Sequence, residues 1–190
     1  MIAFIAVSPS PTWAITNPRL GVNTGFSTAG IQTPTVTRSD GSGGFDVIFD
    51  LPLSPWWIIS GEYGRTLSLS TLASSSSITQ VAAKYFFWNP VPVIQPEENT
   101  QSHYYVKTFA PYAGVGAGYM QFQFEPKINA AGVLLPTTSE TGLVLSLKGG
   151  CEYMLFRTIG VRIEGSYALP LLSKYPIGYM SAMIGPMIFL

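Results

Sequence analysis

Between residues 140 and 169 the chain alternates apolar and polar residues with period two, in two segments joined by a tight turn near 156–160. Leu143, Leu145, Leu147, Cys151, Tyr153 and Leu155 share one parity, interrupted only by Gly149. The other parity holds Ser146, Lys148, Gly150 and Glu152. After the turn, Ile159, Val161, Ile163, Tyr167 and Leu169 alternate against Gly160, Arg162, Glu164 and Ser166. Successive side chains of a strand point to opposite faces, so each segment has one oily face and one ionised face. Such a strand either covers a soluble core or lines a membrane barrel. The number of strands that repeat the pattern decides between the two.

Charged residues make up 11% of the chain, against roughly 25% in ordinary soluble domains. No apolar run reaches the roughly 18 residues that a transmembrane helix needs. The 47% of hydrophobic residues is instead dispersed in short alternating pieces separated by Gly, Pro, Ser and Asn. That dispersal is the signature of a transmembrane β-barrel. Eight strands are expected, at about 19–28, 44–53, 57–69, 76–88, 109–124, 141–155, 159–169 and 178–190. Ser39–Gly44 and the serines at 74–77 read as turns. Links near 54–56 and 156–158 are short, whereas those at 29–43, 125–140 and 170–177 are longer. Short periplasmic turns against longer outer loops place both termini in the periplasm. The exception is 89–108, a long link on the short side; its Pro90, Pro92 and Pro96 disfavour regular pairing.

The 190 residues allow one domain. Met1 to Val7 form an apolar run, followed by helix breakers and a small residue at Ala14. Residues 1–14 read as the remnant of a secretory signal, without its basic start, and 15–190 as the barrel. A formal net charge of zero and the lack of a basic stripe give no case for nucleic acid.

Parity assigns the faces. The outward set includes Leu20, Val22, Phe26, Phe45, Val47, Phe49 and Leu51, then Ile59, Tyr63, Leu67 and Leu69. It continues with Val81, Ala83, Tyr85 and Phe87, then Ala113, Val115, Ala117 and Tyr119. In the last strand it holds Ala182, Ile184, Ile188 and Leu190. Arg65 is the charge on this face, placed where a long cation can reach the headgroups. The inward set holds Arg19, Asn23, Asp46, Asp50, Glu62, Gln80, Lys84, Lys148, Glu152, Arg162 and Glu164. Buried charges are tolerated when paired and hydrogen-bonded, and an eight-stranded barrel is narrow enough for side chains to fill. The charges are therefore expected to form a structural network that plugs the lumen. Trp56, Trp57, Phe87, Trp88 and Phe156 gather at the periplasmic turns, where an interfacial girdle belongs.

Two stretches resemble a known family. Lys84-Tyr85-Phe86-Phe87 with Phe109-Ala110-Pro111-Tyr112-Ala113-Gly114-Val115-Gly116-Ala117-Gly118-Tyr119 is one. Gly149-Gly150-Cys151-Glu152-Tyr153 with Gly160-Val161-Arg162-Ile163-Glu164-Gly165-Ser166-Tyr167 is the other. They resemble the opacity proteins and the OmpA-, OmpX- and OmpW-type eight-stranded outer-membrane barrels. The long link at 89–108 departs from that family, as does the ending Ile188-Phe189-Leu190 in place of a terminal aromatic. Members include adhesins, membrane stabilisers and narrow channels, so the resemblance leaves function open.

Other chemistry finds little support. Gly114, Gly116 and Gly118 lack dinucleotide-loop spacing and are followed by strand instead of helix; inward glycines make room for larger side chains opposite. His103 has no third group to orient it as a catalytic base. Neither a catalytic residue nor a cofactor is expected, and one His with one Cys makes no metal site. Cys151, on the outward parity, reads as a small apolar residue. The leading reading is a non-enzymatic outer-membrane barrel that binds or stabilises through its surface loops. Its expected partners are lipopolysaccharide or phospholipid, with a surface ligand on the loops. The rival is an OmpW-like narrow channel for small apolar solutes, and a lipid-modifying enzyme comes last.

Overall fold

In the computed structural model, the described residues are 18–32, 37–54, 56–68, 74–87, 93–94, 104–105, 109–124, 126–155, 159–171 and 177–190. Among these residues twelve strands run in chain order. The first six are β1 (Arg19–Gln32), β2 (Thr37–Pro52), β3 (Trp57–Ser68), β4 (Ser74–Phe86), β5 (Val93–Ile94) and β6 (Tyr104–Tyr105). The rest are β7 (Ala110–Phe124), β8 (Lys127–Ile128), β9 (Leu134–Leu135), β10 (Thr138–Met154), β11 (Ile159–Pro170) and β12 (Ile177–Phe189). The eight long strands close into an antiparallel barrel in the order β1-β12-β11-β10-β7-β4-β3-β2. β5–β6 and β8–β9 form separate two-residue ladders.

Every neighbour in the barrel wall is the next long strand in the chain, and β12 returns to β1. Following direct partners around the wall gives Arg19, Asp50, Ser60, Ala82, Gly116, Ser146, Ala168 and Tyr179, and then Ala29. The row thus re-enters β1 ten residues past its start. For eight strands this stagger corresponds to a tilt of about 40°. All eight strand predictions fall on long strands. Their outward residues are exposed or half-exposed wherever the side chain is described; Leu69 lies outside the described residues.

The wall is taller than a bilayer requires. The long strands have 12 to 17 residues, more than the roughly 9–11 that cross a bilayer. β1 and β2 pair as far as Gln32 and Thr37, so most of the expected loop at 29–43 is strand. Ser74 and Ser75, read as a turn, open β4 and pair with Phe124 and Gln123. In both places the ladder continues where apolar alternation has stopped, because backbone pairing needs no oily face in water. The link at 89–108 also departs from expectation. Despite its prolines, Val93–Ile94 pairs with Tyr104–Tyr105; none of the prolines falls inside that ladder.

Inside, two apolar clusters bracket the polar residues. Ile58, Phe86, Ala110 and Tyr112 pack together at the end nearest the chain termini, with the Phe86 and Tyr112 rings 5.0 Å apart. Ala29, Met120, Phe122, Val144, Ala168 and Tyr179 pack at the opposite end.

Candidate functional site in the barrel lumen

Alternation along the wall carries the polar residues into the space between those clusters. Arg19, Asp50, Glu62, Lys84, Lys148, Glu152, Arg162 and Glu164 are all buried there, and Asp46 is partly buried. They fall into two groups. In the first, the Arg19 Nη1 donates to Glu152 Oε2 at 2.7 Å. Arg162 donates to Glu152 Oε1 through Nη2 at 2.6 Å and Nε at 3.1 Å. The same Nη2 donates to Asp50, whose other oxygen accepts from the Ser60 hydroxyl. Arg19 also lies over the Phe189 and Phe86 rings, 4.8 and 5.7 Å from their centres, where the ring faces attract a cation. This group ties β1, β2 and β3 to β10 and β11 across the lumen.

The second group is a square. Lys84 Nζ lies 3.0 Å from both Glu62 and Glu164, and Lys148 Nζ lies 2.6 and 2.7 Å from the same two carboxylates. Tyr112 donates to Glu164 Oε2 at 2.6 Å. Gln80 donates to Glu62 at 2.8 Å and accepts from Ser146 at 2.7 Å. Glycines opposite give these side chains their room: a Cβ on Gly116 would lie 2.5 Å from Ser146 Oγ and 3.0 Å from Gln80 Oε1.

Asp46 stands apart. It is the direct partner of Asn23 across β1 and β2 and takes part in none of the ion pairs among the described residues. Its Oδ1 and both polar atoms of the Asn23 amide are buried without a hydrogen-bond partner.

Tyr112 and Ser60 complete the two groups, and reasoning from charge overlooked them. Their signal was parity: both sit between outward neighbours, Pro111 and Ala113 or Ile59 and Gly61. Trp56, Trp57 and Phe87 are exposed at the barrel end nearest the termini. There the Trp57 and Tyr85 rings meet at a tilt, 5.1 Å apart, and Tyr85 meets Phe87 edge to face at 5.7 Å. Trp88, Phe156 and His103 lie outside the described residues.

A closed eight-stranded wall with an apolar exterior and an ionised interior defines an outer-membrane-type barrel. The family model for the outer membrane protein beta-barrel domain matches residues 1–173, and the chain belongs to that family. The family resides in the bacterial outer membrane. Among solved structures the fold is similar to Neisserial surface protein A, at 12% identity and a TM-score of 0.61, covering 90% of this chain and 97% of that one. OprG from Pseudomonas aeruginosa matches at 12% identity and a TM-score of 0.56, covering 93% and 97%. The outer membrane protein AlkL matches at 12% identity and 0.53, covering 100% and 97%. No curated protein matches the sequence.

Proposed function

We propose that the protein is a non-enzymatic outer-membrane barrel whose lumen is plugged by its own charged side chains. Its termini face the periplasm, and it acts through its outer surface, binding or stabilising at the cell envelope. The carrying observation is the pair of charge groups, buried to 7% exposure or less and bracketed by apolar clusters at both ends. A conducting lumen needs a continuous wet path, and ions meeting this network would have to break pairs of 2.6 to 3.0 Å. The rival reading, a narrow path for apolar solutes, has to pass the same ionised layer, where an apolar solute would leave charges unpaired. Pairing also speaks against catalysis, since Arg19, Lys84, Lys148 and Arg162, the lumen cations among the described residues, are each engaged by a carboxylate. Trp56, Trp57 and Phe87 suit an interfacial girdle at the periplasmic rim.

Single-channel recording of the purified, refolded barrel in a planar bilayer tests the reading. A closed baseline with rare brief openings is expected. Steady conductance in the unmodified barrel would overturn the plug and put the small-solute channel in its place.

A further inference from the structure

Register aligns the outward side chains of β2, β3, β4, β7 and β10 in rows. One row runs Leu145, Ala117, Val81, Gly61, Phe49. Two residues nearer the far end, the next runs Leu143, Tyr119, Thr79, Tyr63, Val47. Two residues further, the third runs Thr141, Gln121, Ser77, Arg65, Phe45. At about 3.4 Å per residue the rows are about 7 Å apart. The wall thus passes from apolar, through two tyrosines, to polar along these strands.

Small residues at the middle of the first row leave a depression of about 810 Å³ on the outside of the barrel. Phe49, Tyr63, Tyr119 and Leu143 bound it, with Gly61 and Ala117 on its floor. The space over Gly61 is open, since a Cβ there would find nothing nearer than the Phe49 carbonyl at 4.0 Å. At the polar end stands Arg65, the charged side chain that faces outward among the described residues. A lipid-facing cation is costly at the bilayer midplane and costs little near an interface.

We propose that this groove holds an acyl chain of one lipopolysaccharide molecule, with Arg65 binding its phosphate beside Gln121 and Ser77. The groove is continuous with the surface that family membership places in lipid, so its occupant is a chain from that lipid. The guanidinium fork matches phosphate oxygens, and its distance of two rows from the groove floor suits one amphiphile bound at both ends. The choice of lipopolysaccharide over phospholipid rests on the orientation proposed above, which puts the Arg65 end in the outer leaflet.

Native mass spectrometry of the full-length barrel in detergent, offered bisphosphorylated lipid A together with phosphatidylglycerol, tests the site. The unmodified barrel should retain one lipid A. Arg65→Gln should weaken retention about tenfold or more, the loss of a charge-assisted contact. Gly61→Leu should weaken it similarly by filling the groove. Arg65 joins no ion pair among the described residues, so Arg65→Gln carries the test alone if Gly61→Leu folds poorly. Retention equal in the unmodified barrel and Arg65→Gln, or a preference for phosphatidylglycerol, would overturn the proposal. Cysteine labelling on intact cells reads orientation without lipid, so failure of the orientation and failure of the site are told apart.

Discussion

Glu152 and Arg162 are direct cross-strand partners on β10 and β11, and a single oxygen of Glu152 accepts from two nitrogens of Arg162. The other oxygen holds Arg19. One carboxylate therefore joins the first strand of the barrel to two of the last three, next to the seam where β1 meets β12. Closure of a barrel is a long-range event with a high entropic cost, and this carboxylate acts where the chain ends must meet.

Removing it should leave two buried guanidinium groups short of charge. Glu152→Ala is expected to destabilise the folded barrel by about 3–5 kcal/mol, the usual cost of breaking a buried pair. Urea unfolding followed by tryptophan fluorescence in detergent measures it. The same variant should raise conductance from the closed baseline. Unchanged stability would mean that the network contributes little to the fold.

Asp46 provides the contrasting case. It faces Asn23 without an ion pair, so neutralising it strands no cation. Asp46→Asn should leave the urea midpoint unchanged or raise it, whereas Asp50→Asn, which disturbs Arg162 and Ser60, should lower it. Equal losses from the two variants would show that Asp46 has a partner of comparable strength.

Face assignment was legible in the sequence because side-chain direction in a strand depends on parity alone. Leu143 through Leu155 set against Lys148 and Glu152 suffices to separate wall from lumen. Pairing was not legible. Whether Lys84 meets Glu62 or Asp50 depends on a stagger of ten residues, and nothing within one strand encodes it. Tyr112 was overlooked because an aromatic beside Pro111 and Ala113 carries no charge to mark it. Strand ends at the far rim were misjudged for a different reason. Ser39 to Gly43 and Ser74 to Ser77 have turn-like composition, yet their backbones pair above the apolar band.

Glycine positions separate crowded from open parts of the wall. A Cβ on Gly118 would lie 2.5 Å from Gln80 Cα and press on the Thr79 carbonyl, both backbone atoms of β4. A Cβ on Gly149 would meet nothing within 4 Å. Gly118→Ala should therefore sharply reduce the heat-modifiable folded band on gels. Gly149→Ala should fold normally and gain up to about 1 kcal/mol from a less flexible unfolded chain. Normal folding of Gly118→Ala would show that β4 and β7 can separate at little cost.

The proposed sidedness rests on the short turns at the termini end, with the long link at 89–108 as the exception. The turn after β8 is held by Asn129, whose side chain accepts from the Ala131 and Val133 amides at 3.0 and 2.8 Å, and it projects from the end opposite the termini. Leu53, 62% exposed, sits in the short turn between β2 and β3 at the termini end. In a Cys151→Ser background, Ala131→Cys should react on intact cells with a membrane-impermeant maleimide. Leu53→Cys should react only after the outer membrane is opened. The reverse pattern would place the termini outside the cell, and the Arg65 row would then face the periplasmic leaflet.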